Sequence, residues 1–211
     1  TDNCGNTGTC AQTITVLDTE VPVFVNCPVD ITVGNDVDKC GANVVFSTPI
    51  AEDNCQIVTV TQTAGLASGS LFPVGTTTVI FTAVDQTGNS TICQFTIEVM
   101  DMQTPTAVCK DITLYLNAQG QATAAPAQIG SGSTDNCPAA MTLTLSQTAF
   151  DCSNVGNNTV TLTVTDGAGN TSICAATVTV RDLMVPTFTC PAAQTTPNCD
   201  AIVPDLVSLI T

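Results

Sequence analysis

The residues best able to do chemistry in this sequence are its 12 cysteines, which fall at repeating positions along 211 residues. Cys55 and Cys137 each follow an Asp-Asn pair, and three others follow a proline by four or five residues: Cys27, Cys109 and Cys190. The chain has no histidine and no Cys-x-x-Cys pair, both of which are common in thiolate metal sites. The spacing therefore favours a disulfide framework formed in an oxidising compartment.

Acidic side chains are the second chemical resource, since 18 Asp and Glu face three Lys and Arg, for a net charge of −15. This charge repels nucleic acid and anionic membranes, so neither is expected as a partner. Calcium takes about six to eight oxygen ligands, which carboxylates supply. We therefore expect calcium as the one candidate cofactor, at the ends of repeating units, while the alternative that these acids only close turns stays open. The candidate ligands at the first junction are Asp18, Glu20, Asp53 and Asp85. Those at the second are Asp101, Asp135 and Asp166, and Asp182 begins a third.

A catalytic site is not expected from this inventory. Histidine, the commonest general base, is absent, and cysteines held in disulfides cannot act as nucleophiles. Many of the acids recur at repeat positions, whereas a catalytic pair is needed only once. Sugar binding is a weaker alternative, because the chain has no Trp and a single Tyr, and because Phe81 and Phe95 fall on the core faces of predicted strands.

A repeated turn and the strands beside it position these residues. The pattern Asp-x-x-Gly-Asn, with a cysteine eight residues after the Asp, begins at Asp2, Asp85 and Asp166, so the copies lie 83 and 81 residues apart. Gly and Asn tolerate positive φ and an Asp side chain bonds nearby amides, so each copy predicts a hairpin turn. Apolar and polar residues alternate from Cys93 to Val99, which predicts a half-buried antiparallel strand.

The repeat divides the chain into modules of roughly 82 residues. We expect residues 1–19 to be the last hairpin of a preceding module, 20–101 and 102–182 to be complete β-sandwich modules, and 183–211 to begin a following one. Each linker runs four residues from an Asp to a Pro, which fixes its own φ and restricts its neighbour. The modules are therefore expected to form a semi-rigid rod.

No apolar run in the sequence approaches the ~18 residues of a membrane span.

Several short strands separated by turn residues predict an all-β sandwich in each complete module, with no helix of useful length. The predicted strands of the first complete module are Asp30–Val33, Asn43–Ser47, Ile57–Thr63, Ser70–Phe72, Thr77–Val84 and Ile92–Val99. Those of the second are Asp111–Leu116, Gln121–Ala124, Met141–Ser146, Asn158–Thr165 and Ile173–Val180.

Four motifs stand out in the first complete module: Asn26-Cys-Pro-Val-Asp-Ile-Thr-Val33, Glu52-Asp-Asn-Cys55, Phe72-Pro-Val-Gly-Thr-Thr-Thr-Val79, and the turn from Asp85 with Cys93-x-Phe95. Together they resemble the hyalin repeat, or HYR, module over nearly all of residues 20–101. The resemblance implies an immunoglobulin-like β-sandwich. It also implies a role in extracellular adhesion or in the stalks of very large surface proteins, and it carries over no catalytic residue.

The second complete module is similar to a diverged form of the same repeat, common in secreted bacterial surface proteins. It keeps Asp135-Asn-Cys137, Val155-Gly156 and the final hairpin, but it loses the Phe-Pro of the Phe-Pro-Val-Gly segment. It also carries Cys152 instead of a counterpart to Cys40. A bacterial cell surface is therefore the location that the resemblance implies.

The resemblance also bears on cysteine pairing, because simple members of the family keep only the positions of Cys27 and Cys93. That favours Cys27–Cys93 and Cys109–Cys174, and it leaves Cys40–Cys55 and Cys137–Cys152. The rival scheme, which stays open, is Cys27–Cys40 with Cys55–Cys93, and Cys109–Cys152 with Cys137–Cys174.

These expectations combine into one functional hypothesis. The chain is predicted to be a disulfide-stapled stalk segment of a long extracellular fibre or adhesin, without catalysis. Its expected partners are neighbouring modules of the same protein and other copies in a filament. The alternative is a set of accessory modules, carbohydrate-binding or spacer, in a secreted multidomain enzyme.

Overall fold

The computed structural model describes residues 1–55, 57–138 and 140–186. Over these residues the chain is almost entirely β-strand and loop, and it forms two immunoglobulin-like sandwiches, as predicted. Most of the predicted following module, including Cys190, lies in residues 187–211 and therefore outside the described residues.

The first sandwich contains strands at the segments where apolar and polar residues alternate. It also has two strands of two residues each, Val23–Phe24 and Ala51–Glu52, that this alternation did not predict. Its third strand ends earlier than predicted, because Phe46 N donates to the Ser68 side chain at 2.9 Å instead of to a strand. The strands are β1 (Val23–Phe24), β2 (Ile31–Gly34), β3 (Gly41–Asn43), β4 (Ala51–Glu52), β5 (Thr59–Ala64), β6 (Leu71–Pro73), β7 (Gly75–Val84) and β8 (Ser90–Met100).

The larger sheet of the first module has the order β2-β8-β7-β5, with β2 parallel to β8 and the other pairs antiparallel. Strands β3 and β6 form a smaller sheet, and β1 pairs with β4. Alternate residues of β7 and β8 are buried, as their period of two predicts, and they pack against Ala42 and Phe72 of the smaller sheet. The buried residues of β7 and β8 are Val79, Phe81, Ala83, Cys93, Phe95, Ile97 and Val99.

The second module repeats this plan with the sheet order β9-β14-β13-β11 and a smaller β10–β12 pair. It adds a one-turn helix, too short to produce a readable helical period, and a 3-10 turn. The elements are β9 (Ile112–Tyr115), β10 (Gln121–Thr123), α1 (Pro126–Gly130), β11 (Thr142–Leu145), β12 (Ala149–Asp151), the 3-10 turn Cys152–Asn154, β13 (Gly156–Thr165) and β14 (Thr171–Arg181).

The register of the smaller sheets corrects one expectation from the family motif. Ala122 lies opposite Phe150 in the second module, as Ala42 lies opposite Phe72 in the first. The phenylalanine of the motif is therefore present, and the 3-10 turn separates it from the Val-Gly that follows it in the first module. This insertion carries Cys152.

The hairpin predicted for residues 1–19 is present only as its turn. The Asp2 carboxylate accepts from the amides of Cys4 and Asn6, but residues 7–17 are exposed and carry no strand. A strand gains little stability without a partner strand and a buried face, and the structure supplies neither here.

No helix in the described residues is long and apolar enough to cross a membrane.

Candidate functional site

The repeated turn is built around one carboxylate in each module. Asp85 Oδ1 accepts from the amides of Thr87, Gly88 and Asn89 at 2.6–2.8 Å, and Gly88 has a φ of 96°, which glycine adopts without strain. Asp166 accepts from two amides of its own turn in the same way. The turn chemistry predicted from Asp-x-x-Gly-Asn is therefore present, and it uses the charged form of the Asp.

These hydrogen bonds set the acidity of both side chains. Burial by itself would raise the pKa of Asp85, but the hydrogen bonds from Asn89, Thr87 and the turn amides outweigh it and lower the pKa. The balance for Asp166 is the same, with Asn170 as the main donor, and its pKa is also lowered. Both turns are therefore most stable while the carboxylates stay ionised.

The asparagine of each turn connects the turn to the linker that enters its module. Asn89 Nδ2 donates to the backbone oxygen of Asp18 at 3.3 Å, and Asn170 Nδ2 donates to that of Asp101 at 3.1 Å. Each asparagine also bonds the Asp of its own turn. The repeated turn thus fixes the linker at the end of a module, which is a role for the motif that its sequence alone did not reveal.

The predicted calcium ligands converge only in part. Carboxylate oxygens of Asp18, Asp53 and Asp85 lie within 4.8 Å of one another at the start of the first module. At the next junction Asp101 and Asp135 come together with the sulfur of Cys137, within the same distance. The first group is a candidate for a hard cation because it contains only oxygen ligands.

The other predicted ligands have different roles in the structure. Glu20 accepts a hydrogen bond from Asn54 at 2.6 Å, and Asp182 accepts from the amide of Met184 at 2.9 Å. Asp166 belongs to its turn and is not part of the second group. In that group Asp135 Oδ1 is buried without a hydrogen-bond partner, while Cys137 is not available as a ligand because it is in a disulfide.

The structure forms Cys27–Cys93 and Cys109–Cys174 inside the modules, the two pairs that the family resemblance favoured. The other two pairs of that predicted scheme, Cys40–Cys55 and Cys137–Cys152, are wrong. Cys40 of the first module instead bonds Cys137 of the second, across 97 residues of sequence. The rival scheme of loop-to-loop pairs inside each module is also absent.

We call the Cys40–Cys137 bond the junction disulfide. The prediction missed it because only pairings inside one module were compared. Since Cys40 comes directly before β3 of one module and Cys137 lies in a loop of the next, no spacing within a module could reveal it. Among the described residues, Cys55 and Cys152 remain as exposed free thiols, as do Cys4 and Cys10.

Hydrogen bonds surround the junction disulfide. The amide of Met102 donates to Asn35 Oδ1 at 3.0 Å, and the Gln103 amide group exchanges bonds of 2.8 and 3.1 Å with the backbone and side chain of Asp38. Asn136 Nδ2 donates to the backbone oxygen of Lys39 at 2.9 Å. The modules are thus joined by the linker, a disulfide and a set of polar contacts.

The turn between β2 and β3 is shaped for these contacts. Asp38 adopts a φ of 58°, a left-handed conformation that Asp tolerates better than most residues. Gly34 lies beneath Met102, and a Cβ at this position would come within 2.9 Å of the Met102 sulfur. This part of the first module therefore follows the contour of the linker.

Comparison with known protein families identifies part of the chain. The HYR domain model matches residues 17–99, which cover nearly all of the first complete module. Residues 17–99 are an HYR domain. The Cys27–Cys93 disulfide and the Asp85 turn both lie inside this HYR domain.

Curated relatives extend the similarity to both modules. Hyalin of Strongylocentrotus purpuratus is 32% identical over 204 residues, covering 94% of this chain and 16% of hyalin, and hyalin of Lytechinus variegatus is 30% identical over 205 residues, covering 90% and 37%. The Sushi, von Willebrand factor type A, EGF and pentraxin domain-containing protein 1 of Rattus norvegicus is 29% identical over 174 residues, covering 81% and 5%. The chain thus spans less than two-fifths of each relative.

These relatives are animal proteins, so the bacterial origin implied by the resemblance is not supported. Solved structures with partial likeness include Drosophila N-cadherin EC1-4, with a TM-score of 0.39 at 12% identity over 77% of this chain and 50% of that one. Human mucin-like protocadherin EC1-2 gives 0.42 at 13% identity over 76% and 98%. Scores this low support no inference about ligands or about the arrangement of the modules.

Proposed function

We propose that this chain is a structural segment of a long extracellular fibre or adhesin, in which HYR-type modules form a semi-rigid rod. The observation that carries the proposal is the junction disulfide, which connects Cys40 of one module to Cys137 of the next. A covalent bond between consecutive modules has no bearing on a catalytic site inside either one. It does restrict how the modules move relative to each other.

A linker alone acts as a hinge, because it joins two modules at one point. The junction disulfide adds a second covalent connection, and the contacts of Asn35 with Met102 and of Asp38 with Gln103 lie beside it. Two connections oppose bending in the plane that contains them. Under tension they also share the load, which suits a segment whose task is reach and strength.

A non-catalytic, extracellular role fits the other observations. The sequence has no histidine, and the disulfides require an oxidising compartment. The partners that follow from this role are neighbouring modules of the same protein and other copies of it. Carbohydrate-binding modules of a secreted enzyme are disfavoured, because Tyr115 is the one large exposed aromatic side chain among the described residues.

Solution scattering on the full chain tests the rod. The oxidised protein should give an elongated particle with a narrow distribution of shapes, and Cys40→Ser/Cys137→Ser should broaden that distribution while leaving both modules folded. The matched control is Cys55→Ser/Cys152→Ser, which removes two cysteines without touching the junction disulfide. A compact particle, or identical profiles for all three proteins, would refute the proposal.

A second function, calcium binding at the start of the first module, is favoured by the approach of Asp18, Asp53 and Asp85 within 4.8 Å. Asp85 already accepts bonds from its turn, so Asp18 and Asp53 have the more available oxygens. A bound ion would relieve the repulsion among the three carboxylates and stiffen the linker at Asp18. With few protein ligands the affinity should be weak, about 0.1–1 mM, as in other extracellular modules.

Thermal unfolding with calcium and with a chelator tests this site. Asp53→Asn keeps an oxygen for the amide of Cys55 but removes the charge, so it should abolish a calcium-dependent rise in Tm. Asp182→Asn is the matched control, because Asp182 accepts an amide hydrogen bond in the same way but belongs to no group of acids in the described structure. If millimolar calcium leaves the Tm of the wild-type chain unchanged, the acids serve only turns and surface charge.

A further inference from the structure

Each complete module has one cysteine that pairs with no other described cysteine, and the two thiols lie in unlike surroundings. Cys55 and Cys152 are exposed and bond no other cysteine among the described residues. Cys55 resembles Cys137 of the junction disulfide, and Cys152 resembles Cys40. The two thiols therefore correspond to the two partners of one disulfide.

Cys55 repeats the setting of Cys137. Both follow Asp-Asn, and in both cases the Asp accepts the amide hydrogen of the cysteine, at 3.0 Å for Cys55 and 2.8 Å for Cys137. Asn136, next to Cys137, donates across the junction to the backbone of Lys39. Asn54 lies at the corresponding place beside Cys55 and currently donates to Glu20.

Cys152 lies in the inserted 3-10 turn, but its thiol reaches the position in the second module that corresponds to Cys40 in the first. Cys40 comes directly before β3, and the residue directly before the equivalent β10 is Gly120. The inserted 3-10 turn brings the Cys152 sulfur to 3.8 Å from the Gly120 backbone oxygen. A Cβ on Gly120 would lie 2.8 Å from that sulfur, so the thiol occupies the space of a side chain at the Cys40 position.

We propose that Cys55 and Cys152 form further junction disulfides with the modules on either side of these two. Cys55 would bond a cysteine at the Cys40 position of the module before it, and Cys152 would bond the cysteine of an Asp-Asn-Cys loop in the module after it. The partner in each case is a module of this same repeat type. This inference rests on the proposed function, because it requires a continuous array of modules.

The bond forms by two thiol–disulfide exchanges with a disulfide oxidant such as oxidised glutathione. The Cys152 thiolate attacks one sulfur of the oxidant and releases one glutathione thiol, and the partner cysteine then attacks the mixed disulfide and releases the second. Two cysteine thiols are oxidised and two glutathione thiols are formed, which take up the two protons.

A tandem chain tests the inference directly. Residues 1–182 are followed by residues 19–211, which preserves the four-residue step from Asp to Pro at the new junction. The first copy carries Cys55→Ser and the second carries Cys152→Ser, and the four cysteines outside residues 19–182 are serine. The new junction then places Cys152 of the first copy opposite Cys55 of the second.

Peptide mapping after alkylation of the unreduced tandem should show a Cys152–Cys55 disulfide and no alkylation of either residue. If both are alkylated while Cys40–Cys137 is intact in each copy, the inference is wrong and the proposed function stands. If Cys40–Cys137 is missing as well, both fail. The single 211-residue chain gives an independent check, since bonding of Cys55 to Cys152, Cys4 or Cys10 within it would also overturn the inference.

Discussion

The two modules share their ends but differ in their interiors. In the first module Phe46 packs edge to face against Phe72, Phe81 and Phe95, with ring centroids 5.1–6.3 Å apart. In the second, the one-turn helix α1 contributes the fully buried Ile129 to a core without such an aromatic cluster. The same sheet order is therefore compatible with two ways of filling the sandwich.

The ends, in contrast, repeat closely. Both modules have a turn whose Asp accepts backbone amides, an asparagine that holds the incoming linker, and a disulfide that joins the start of the module to its last strand. They differ at the cysteine facing the next module, which comes before β3 in one and in an inserted turn in the other. Two of the repeated features, the turn and its asparagine, hold the linker that joins a module to the one before it, which supports a function located at the junctions.

The largest expected effect comes from removing the junction disulfide. Cys40→Ser/Cys137→Ser opens a covalent loop of 97 residues, for which unfolded-chain entropy predicts a loss of about 4–5 kcal/mol. Calorimetry of the wild-type chain should show coupled unfolding of the two modules, and the variant should unfold in two separate steps. Cys55→Ser/Cys152→Ser should behave as wild type, and an unchanged profile for the first variant would contradict the expected coupling.

How much of this arrangement the sequence predicts depends on the range of the interaction. Strands such as β7 and β8 and the Asp85 turn follow from neighbouring residues, because alternation and turn chemistry act locally. The Cys27–Cys93 pair followed from the family resemblance. The junction disulfide did not, because residues of two modules meet there and the repeat pattern describes each module separately.

The candidate site shows the same limit. The sequence predicted that Asp18, Glu20, Asp53 and Asp85 would meet, and the three Asp do, while Glu20 bonds Asn54 instead. The same reasoning placed Asp166 with Asp101 and Asp135, but there the sulfur of Cys137 completes the group instead. A repeat position gives a residue its place in the fold, while the neighbouring module decides what that residue contacts.

A smaller effect should distinguish the two cores. In the Cys40→Ser/Cys137→Ser background, Phe46→Ala should destabilise only the first module, by about 3 kcal/mol, since the half-buried ring loses its edge-to-face contacts. Ile129→Ala should destabilise only the second, by about 2–4 kcal/mol. Separate unfolding transitions measure both effects, and a substitution that shifts both transitions would show that the cores are not independent.

The conservative substitutions Phe46→Leu and Ile129→Val provide the controls. Each keeps most of the buried volume and should cost about 1 kcal/mol. Gly130→Ala should be more costly than its size suggests, because a Cβ there would come within contact of the Leu162 side chain. That clash would lie between α1 and β13, inside the core of the second module.

Acid should weaken both modules through the same turn. Because the pKa values of Asp85 and Asp166 are lowered in the folded chain, their contribution is present above the unfolded value of about 3.9 and is lost as pH falls through the folded values. Unfolding free energies measured between neutral pH and pH 2 should therefore decrease below about pH 4. In the Cys40→Ser/Cys137→Ser background, where the modules unfold separately, Asp85→Asn should flatten that decrease for the first module alone, with the second as its internal control.

The smallest expected effect concerns the asparagines that hold the linkers. Asn89→Ala and Asn170→Ala each remove donors to the turn Asp and to a linker oxygen, at a cost of about 1 kcal/mol. Asn6→Ala is the control, because Asn6 bonds its own turn but contacts no linker in the described structure. Amide hydrogen exchange should increase at both linkers, after Asp18 in Asn89→Ala and after Asp101 in Asn170→Ala. The increase after Asp18 should be the larger one, because the junction disulfide still restrains the linker after Asp101. Equal increases at the two linkers would mean that the disulfide adds no restraint there, and removing it in the Asn170→Ala protein would then change nothing further.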